Sequence, residues 1–152
     1  MRADLNPGPL AEALGRLVLA SSEAEGQIGE MLTLVCDLEG ESAPKGWWAS
    51  GAQLADSIKK LGRDSFNEIE AEYRSLFPQR NICLHAQWYV GSSESGMILG
   101  FHRAKDKGPA PGYGVIPLNL ELVKQLAERY LALTDLVDSQ ISELMGLKPP
   151  AN

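Results

Sequence analysis

The chain has no apolar run approaching the ~18–20 residues that span a bilayer, so an integral membrane protein is not expected. No apolar segment follows the Met1-Arg2-Ala3-Asp4 start, and a secretory leader is not expected either. Cysteine is scarce. Cys36 and Cys83 do not make a disulfide framework, and both lie in apolar stretches of helical character, which points to reduced core thiols and a cytoplasmic protein. Histidine is equally scarce: His85 and His102, taken with the two cysteines, form no zinc spacing. Glycine-rich phosphate loops are missing. The segment Gly108-Pro109-Ala110-Pro111-Gly112 has the wrong spacing, and its prolines lack the amide donors such loops use. A Gly-x-Ser-x-Gly nucleophile elbow is missing too. Positive charge is in deficit, 14 Lys and Arg against 20 Asp and Glu, for a net charge of −6. An acidic chain repels nucleic acid at long range, which counts against a general nucleic-acid coat but leaves room for a local site.

What is present is one ordinary globular domain over residues 1–152, 44% hydrophobic and 22% charged, with no internal repeat and no linker to a second domain. Leu10, Leu14, Leu17, Ser21, Ala24, Ile28, Met31, Val35 and Leu38 alternate in steps of four and three, the spacing of a long helix with one stripe facing a partner. Pro9 suits its first turn and Gly40 its stop. Much of the acidity falls on this segment (Glu12, Glu23, Glu25, Glu30, Asp37, Glu39), as on a solvated face. After a short link, Trp47 or Trp48 opens a second helix running to about Leu61; a Trp pair there can be a base-stacking platform but more often anchors a helix start on the core. A third helix starts near Asp64 with Phe66, Ile69, Tyr73 and Phe77 inward, and Pro78 should kink or restart it. From Trp88 to Ile116 the helical period is lost, and a β-hairpin is expected over about 88–116, with Tyr113–Ile116 as a third short strand or a return segment. Trp88 and Tyr89 should form its core. Pro117 and Asn119 start a last helix with Val123, Leu126, Tyr130, Leu133, Val137, Ile141 and Leu144 inward, and residues 147–152 form a frayed tail. The expected fold class is all-α, a four-helix bundle with a β-hairpin inserted before the last helix.

One constellation breaks the binary pattern. Residues 80–85 read Arg80-Asn81-Ile82-Cys83-Leu84-His85. Asn81 and His85 are four apart and share a helix face, whereas Arg80 and His85 differ by about 140° around the axis. The phase of Phe66, Ile69 and Tyr73 puts Arg80 near the inward stripe, and a cation there marks a functional or a deliberately paired site. These groups suit RNA cleavage by the ribose 2′-hydroxyl. An imidazole moves protons near neutral pH. A guanidinium holds a phosphate bidentately, and an amide orients either partner. From Arg74 to Lys107 five cations (Arg74, Arg80, Arg103, Lys105, Lys107) face only Glu94 and Asp106, a net of +3 inside an acidic chain. A solvated hairpin tip is the plainer reading of Arg103, Lys105 and Lys107, which are also the candidates to contact RNA phosphate beyond the motif.

Arg80-Asn81-x-x-x-His85 in the third helix of a small bundle resembles the HEPN superfamily (higher eukaryotes and prokaryotes nucleotide-binding). Its hallmark is an Arg, often followed by a polar residue, with four to six residues before a His. The aromatic residue, hairpin and last amphipathic helix that follow resemble one group of small bacterial HEPN-like proteins, so the likeness of pattern covers nearly the whole chain. It implies an all-α homodimer whose motifs meet across the interface, acting as a metal-independent endoribonuclease that leaves a 2′,3′-cyclic phosphate, with neither metal nor other cofactor. Toxin–antitoxin, phage-defence and RNA-processing systems use such proteins, which makes an antitoxin or another protein a candidate partner. Carried over, His85 is the general acid or base, Arg80 the phosphate clamp and Asn81 the orienting group. Ala86 follows the motif His where many active relatives have Gly. The second reading is a catalytically silent HEPN-like module that binds a nucleotide or a protein. A third, a structural subunit of a larger assembly, is permitted by the apolar stripes alone.

Overall fold

The computed structural model describes residues 8–91, 98–105 and 113–146, with 102–105 and 113–116 described as backbone. The protein is mostly helical, with a small antiparallel sheet placed before the last helix. Among the described residues the α-helices are α1 (Gly8–Glu39), α2 (Ala52–Lys60), α3 (Asn67–Leu84) and α4 (Leu120–Leu144), and the strands are β1 (Gln87–Val90), β2 (Ile98–Lys105) and β3 (Tyr113–Asn119). None of these helices is long and apolar enough to cross a membrane.

The long helix α1 makes its most extensive contact with α4. Ala13, Leu17, Ala24, Ile28, Met31, Leu32 and Val35 are buried along it, a face wider than one stripe because α2 and α3 also pack on it. Such breadth is the norm for a helix covered by several neighbours. Leu38, placed inward by the spacing, is 60% exposed, because the helix is already ending there. Gly40 takes φ +70, its N–H donates to the Asp37 carbonyl, and the Glu41 N–H donates to the Cys36 carbonyl at 2.8 Å. That pair of bonds satisfies the last carbonyls, and a left-handed residue at this point is best supplied by glycine.

Two expectations about helix starts need correction here. The second helix does not open at the tryptophans. Residues 45–48 form a turn, Gly51 breaks the chain direction with φ +68, and α2 begins at Ala52. Trp48 is 76% exposed and so anchors nothing. The third helix is preceded by one 3-10 turn, Asp64–Phe66, in which Asp64 offers no side-chain cap, and it then passes through Pro78 without restarting. The proline lacks one N–H, yet the buried Ile69, Tyr73, Leu76 and Cys83 on either side hold the segment together.

The inserted element is a three-stranded antiparallel sheet in the order β1-β2-β3, so a third strand joins the expected hairpin. Leu99 pairs with Asn119 and Lys105 with Tyr113. Pro117 fits because β3 is an edge strand and pairs on one side only. Trp88 faces Gly100 across the ladder. A Cβ at position 100 would lie 2.7 Å from the Trp88 ring, so the indole occupies the space a side chain would need. The Trp88 Nε1–H donates to the Cys83 carbonyl at 3.0 Å, which ties the sheet to the end of α3. Tyr89, expected in the hairpin core, is 52% exposed and touches Phe101 edge-on. Asn119 then caps α4, its Oδ1 accepting from the Leu122 N–H at 2.8 Å.

Candidate functional site

The motif occupies the last turn and a half of α3. Tyr73 and Leu76, both buried, set the phase, and Arg80 follows them seven and four residues on. Its guanidinium is therefore turned toward the helical interior, with its side chain 11% exposed. There it meets Glu25 of α1, whose side chain is 16% exposed: Arg80 Nη1 donates to Glu25 Oε1 at 2.7 Å. The same carboxylate oxygen accepts from the Tyr73 hydroxyl at 2.7 Å, and that hydroxyl accepts from the Gly51 N–H at 2.6 Å. A chain of bonds thus runs from the start of α2 through Tyr73 and Glu25 to Arg80. Burial pushes the Tyr73 hydroxyl well above its ordinary pKa, and the hydrogen bond to Glu25 pushes the same way.

Asn81 is exposed, and its Oδ1 accepts from Arg80 Nε and Nη2 at 3.2 and 3.1 Å. The amide therefore orients the guanidinium, not the imidazole. His85 caps α3, its backbone N–H donating to the Asn81 carbonyl at 3.0 Å. Its side chain is exposed and makes no hydrogen bond among the described residues. The motif thus splits into a charged group held inside and a proton-carrying group left outside, and no hydrogen bond joins Arg80 to His85 among the described residues. Ala86, next to the motif His, is half-buried and packs against the core.

The charge pattern puts Glu25 on the solvated acidic face of the first helix, and the structure turns it inward. It stands four residues after Ser21 and three before Ile28, both buried, so its phase places it beside the packed stripe. Tyr130 of α4 completes the surroundings. Its hydroxyl is buried without a hydrogen-bond partner among the described residues. Burial raises its pKa, the nearby Arg80 charge lowers it, and the Glu25 charge raises it.

The basic residues beyond the motif are placed less fully. Arg103 and Lys105 lie on β2, paired with Val115 and Tyr113, and Lys107 lies outside the described residues. Among the described residues no group of three or more His, Cys, Asp or Glu stands close enough to hold a metal ion. Both cysteines are buried and unpaired, and burial pushes the Cys83 thiol up to about 11.

Comparison of the chain with protein-family models, with curated proteins and with solved structures returned no match.

Proposed function

We propose that the chain is a HEPN-like four-helix bundle that acts as a metal-independent endoribonuclease, working as a cytoplasmic homodimer with the 80–85 motifs of two copies side by side. The observation that carries this reading is the exposed, unpartnered His85 one turn from exposed Asn81, with Arg80 braced behind them by Glu25. A braced guanidinium is preorganised to stabilise charge on a phosphate. In the reaction one imidazole takes the proton from the ribose 2′-hydroxyl as that oxygen bonds to phosphorus. The bond to the 5′-oxygen breaks, and the imidazole of the second copy returns a proton to it. The products are a 2′,3′-cyclic phosphate and a 5′-hydroxyl. Arg103, Lys105 and Lys107 hold flanking phosphates. An RNA-cleaving module of this kind suits a toxin paired with an antitoxin, or RNA defence.

The test is incubation of mixed RNAs with the purified chain in EDTA, with analysis of product ends. Cyclic phosphate ends are expected. His85→Ala should slow cleavage by about 10²–10⁴-fold with an unchanged melting temperature. Absence of cleavage, or equal cleavage by the variant, removes the enzymatic reading.

A specific observation favours a second reading. Glu25 neutralises Arg80 before any phosphate arrives, as expected of a catalytically silent module whose motif Arg holds the fold and whose exposed Asn81 and His85 bind a nucleotide or a protein. In that case RNA stays intact and Arg80→Ala is felt only in stability.

A further inference from the structure

Outside the motif, aromatic surface and negative charge meet at one groove. It encloses about 710 Å³ between α1 and the segment that leads into α2, and its lining includes Glu25, Glu30, Gly29, Trp47, Trp48 and Gln53. Among the described residues no Lys, Arg or His lines it, and Arg80 stands behind Glu25. Trp48 is 76% and Trp47 38% exposed. Leaving that much indole in water gains folding nothing, and exposed tryptophans are the residue type most often found at the centre of binding surfaces.

The turn that carries them is held firmly. The Gly46 and Trp47 N–H groups both donate to the Pro44 carbonyl, at 2.8 and 3.1 Å, and the Ala49 N–H donates to the Gly46 carbonyl at 3.0 Å. Two glycines let the turn press onto its neighbours. A Cβ at Gly29 would sit 2.7 Å from the Trp47 carbonyl oxygen, and one at Gly46 would sit 2.7 Å from the Gln53 carbonyl oxygen. The backbone that carries the indoles is therefore positioned before a ligand arrives, which lowers the entropy lost on binding.

The chemistry of the lining selects the occupant. An indole face attracts cations, and the exposed Glu30 carboxylate adds to that attraction, while the Glu25 charge is already met by Arg80 at 2.7 Å. Glu30 is exposed. Glu25 uses Oε1 for Arg80 and Tyr73, and its side chain is 16% exposed. We propose that this groove binds a basic peptide segment of a partner protein, with an arginine or lysine side chain lodged between the Trp47–Trp48 turn and the Glu30 carboxylate. The proposal does not depend on RNA cleavage.

The experiment is calorimetric titration of the full chain with a short peptide of three arginines separated by glycines. The wild type should bind it, and more weakly as salt rises. Trp48→Ala changes no charge, yet should weaken binding roughly tenfold. Glu30→Gln should weaken it several-fold, and a peptide with glutamine for arginine should not bind. Equal affinity of Trp48→Ala and wild type would reduce the binding to general attraction by an acidic chain and overturn the proposal. So would no binding at millimolar peptide, or a single-stranded RNA oligonucleotide whose binding, rather than the peptide's, is lost in Trp48→Ala.

Discussion

Arg80 and His85 stand five residues apart on one helix and live in opposite surroundings. Arg80 is enclosed, its donors taken by Glu25 and Asn81, with Tyr73 on the same carboxylate. His85 ends the helix in solvent, its ring without a hydrogen bond among the described residues. The contrast teaches that one motif carries two kinds of constraint. The guanidinium is held inside by its partners, while the imidazole is left exposed.

The sharpest way to break that contrast is to remove the inner partner. Glu25→Ala leaves the Arg80 charge enclosed and unpaired and strips the Tyr73 hydroxyl of its acceptor. A loss of about 3 kcal/mol is expected, read as a lower urea midpoint, because unpairing a largely buried ion is far more costly than losing a surface pair. An unchanged midpoint would mean that Arg80 reaches water freely.

Alkaline pH probes the same enclosed region. The Cys83 thiol is fully buried, and its pKa is raised from 9.0 to about 11 in the folded chain. Between those values the unfolded chain loses this proton and the folded chain keeps it. Stability should therefore fall as pH rises from about 9 to about 11, by on the order of 2–3 kcal/mol for this group, and remain intact below pH 9. The buried Tyr73 and Tyr130 hydroxyls, also raised, extend the loss above pH 10. Urea unfolding of the wild type and Cys83→Ala across this range checks it, since the variant should show the shallower slope.

A smaller effect is expected from Tyr73→Phe. It removes one donor to Glu25 and leaves the Gly51 N–H without its acceptor, at a cost of about 1–2 kcal/mol. The smallest belongs to the outer end. His85→Ala should move stability by no more than about 0.5 kcal/mol, as at any exposed position free of special contacts. A larger shift would show that His85 also serves the fold, and the contrast would dissolve.

The long helices could be read from sequence because their apolar spacing is dense and their ends carry strong local signals: the stop at Gly40 and the Asn119 cap both stand where expected. The inward turn of Arg80 could be read too, since Phe66, Ile69 and Tyr73 set a phase that Pro78 did not disturb. The start of α2 was misread because a Trp pair usually marks burial, whereas here Gly29 and Gly46 fix the turn in a way only tertiary contact reveals. The third strand was half visible, as Pro117 masked its continuation. Glu25 was the main omission. Its spacing from Ser21 and Ile28 pointed inward, but a carboxylate on an acidic helix looks solvated until the cation that meets it, 55 residues away, is known.

That one side chain is shared. Its Oε1 is committed to Arg80 and Tyr73, and the same residue lines the tryptophan groove. A cation bound in the groove beside Glu25 would lower the negative potential that retains Arg80. Thermodynamic reciprocity then requires that whatever draws Arg80 outward tightens the grip on that cation.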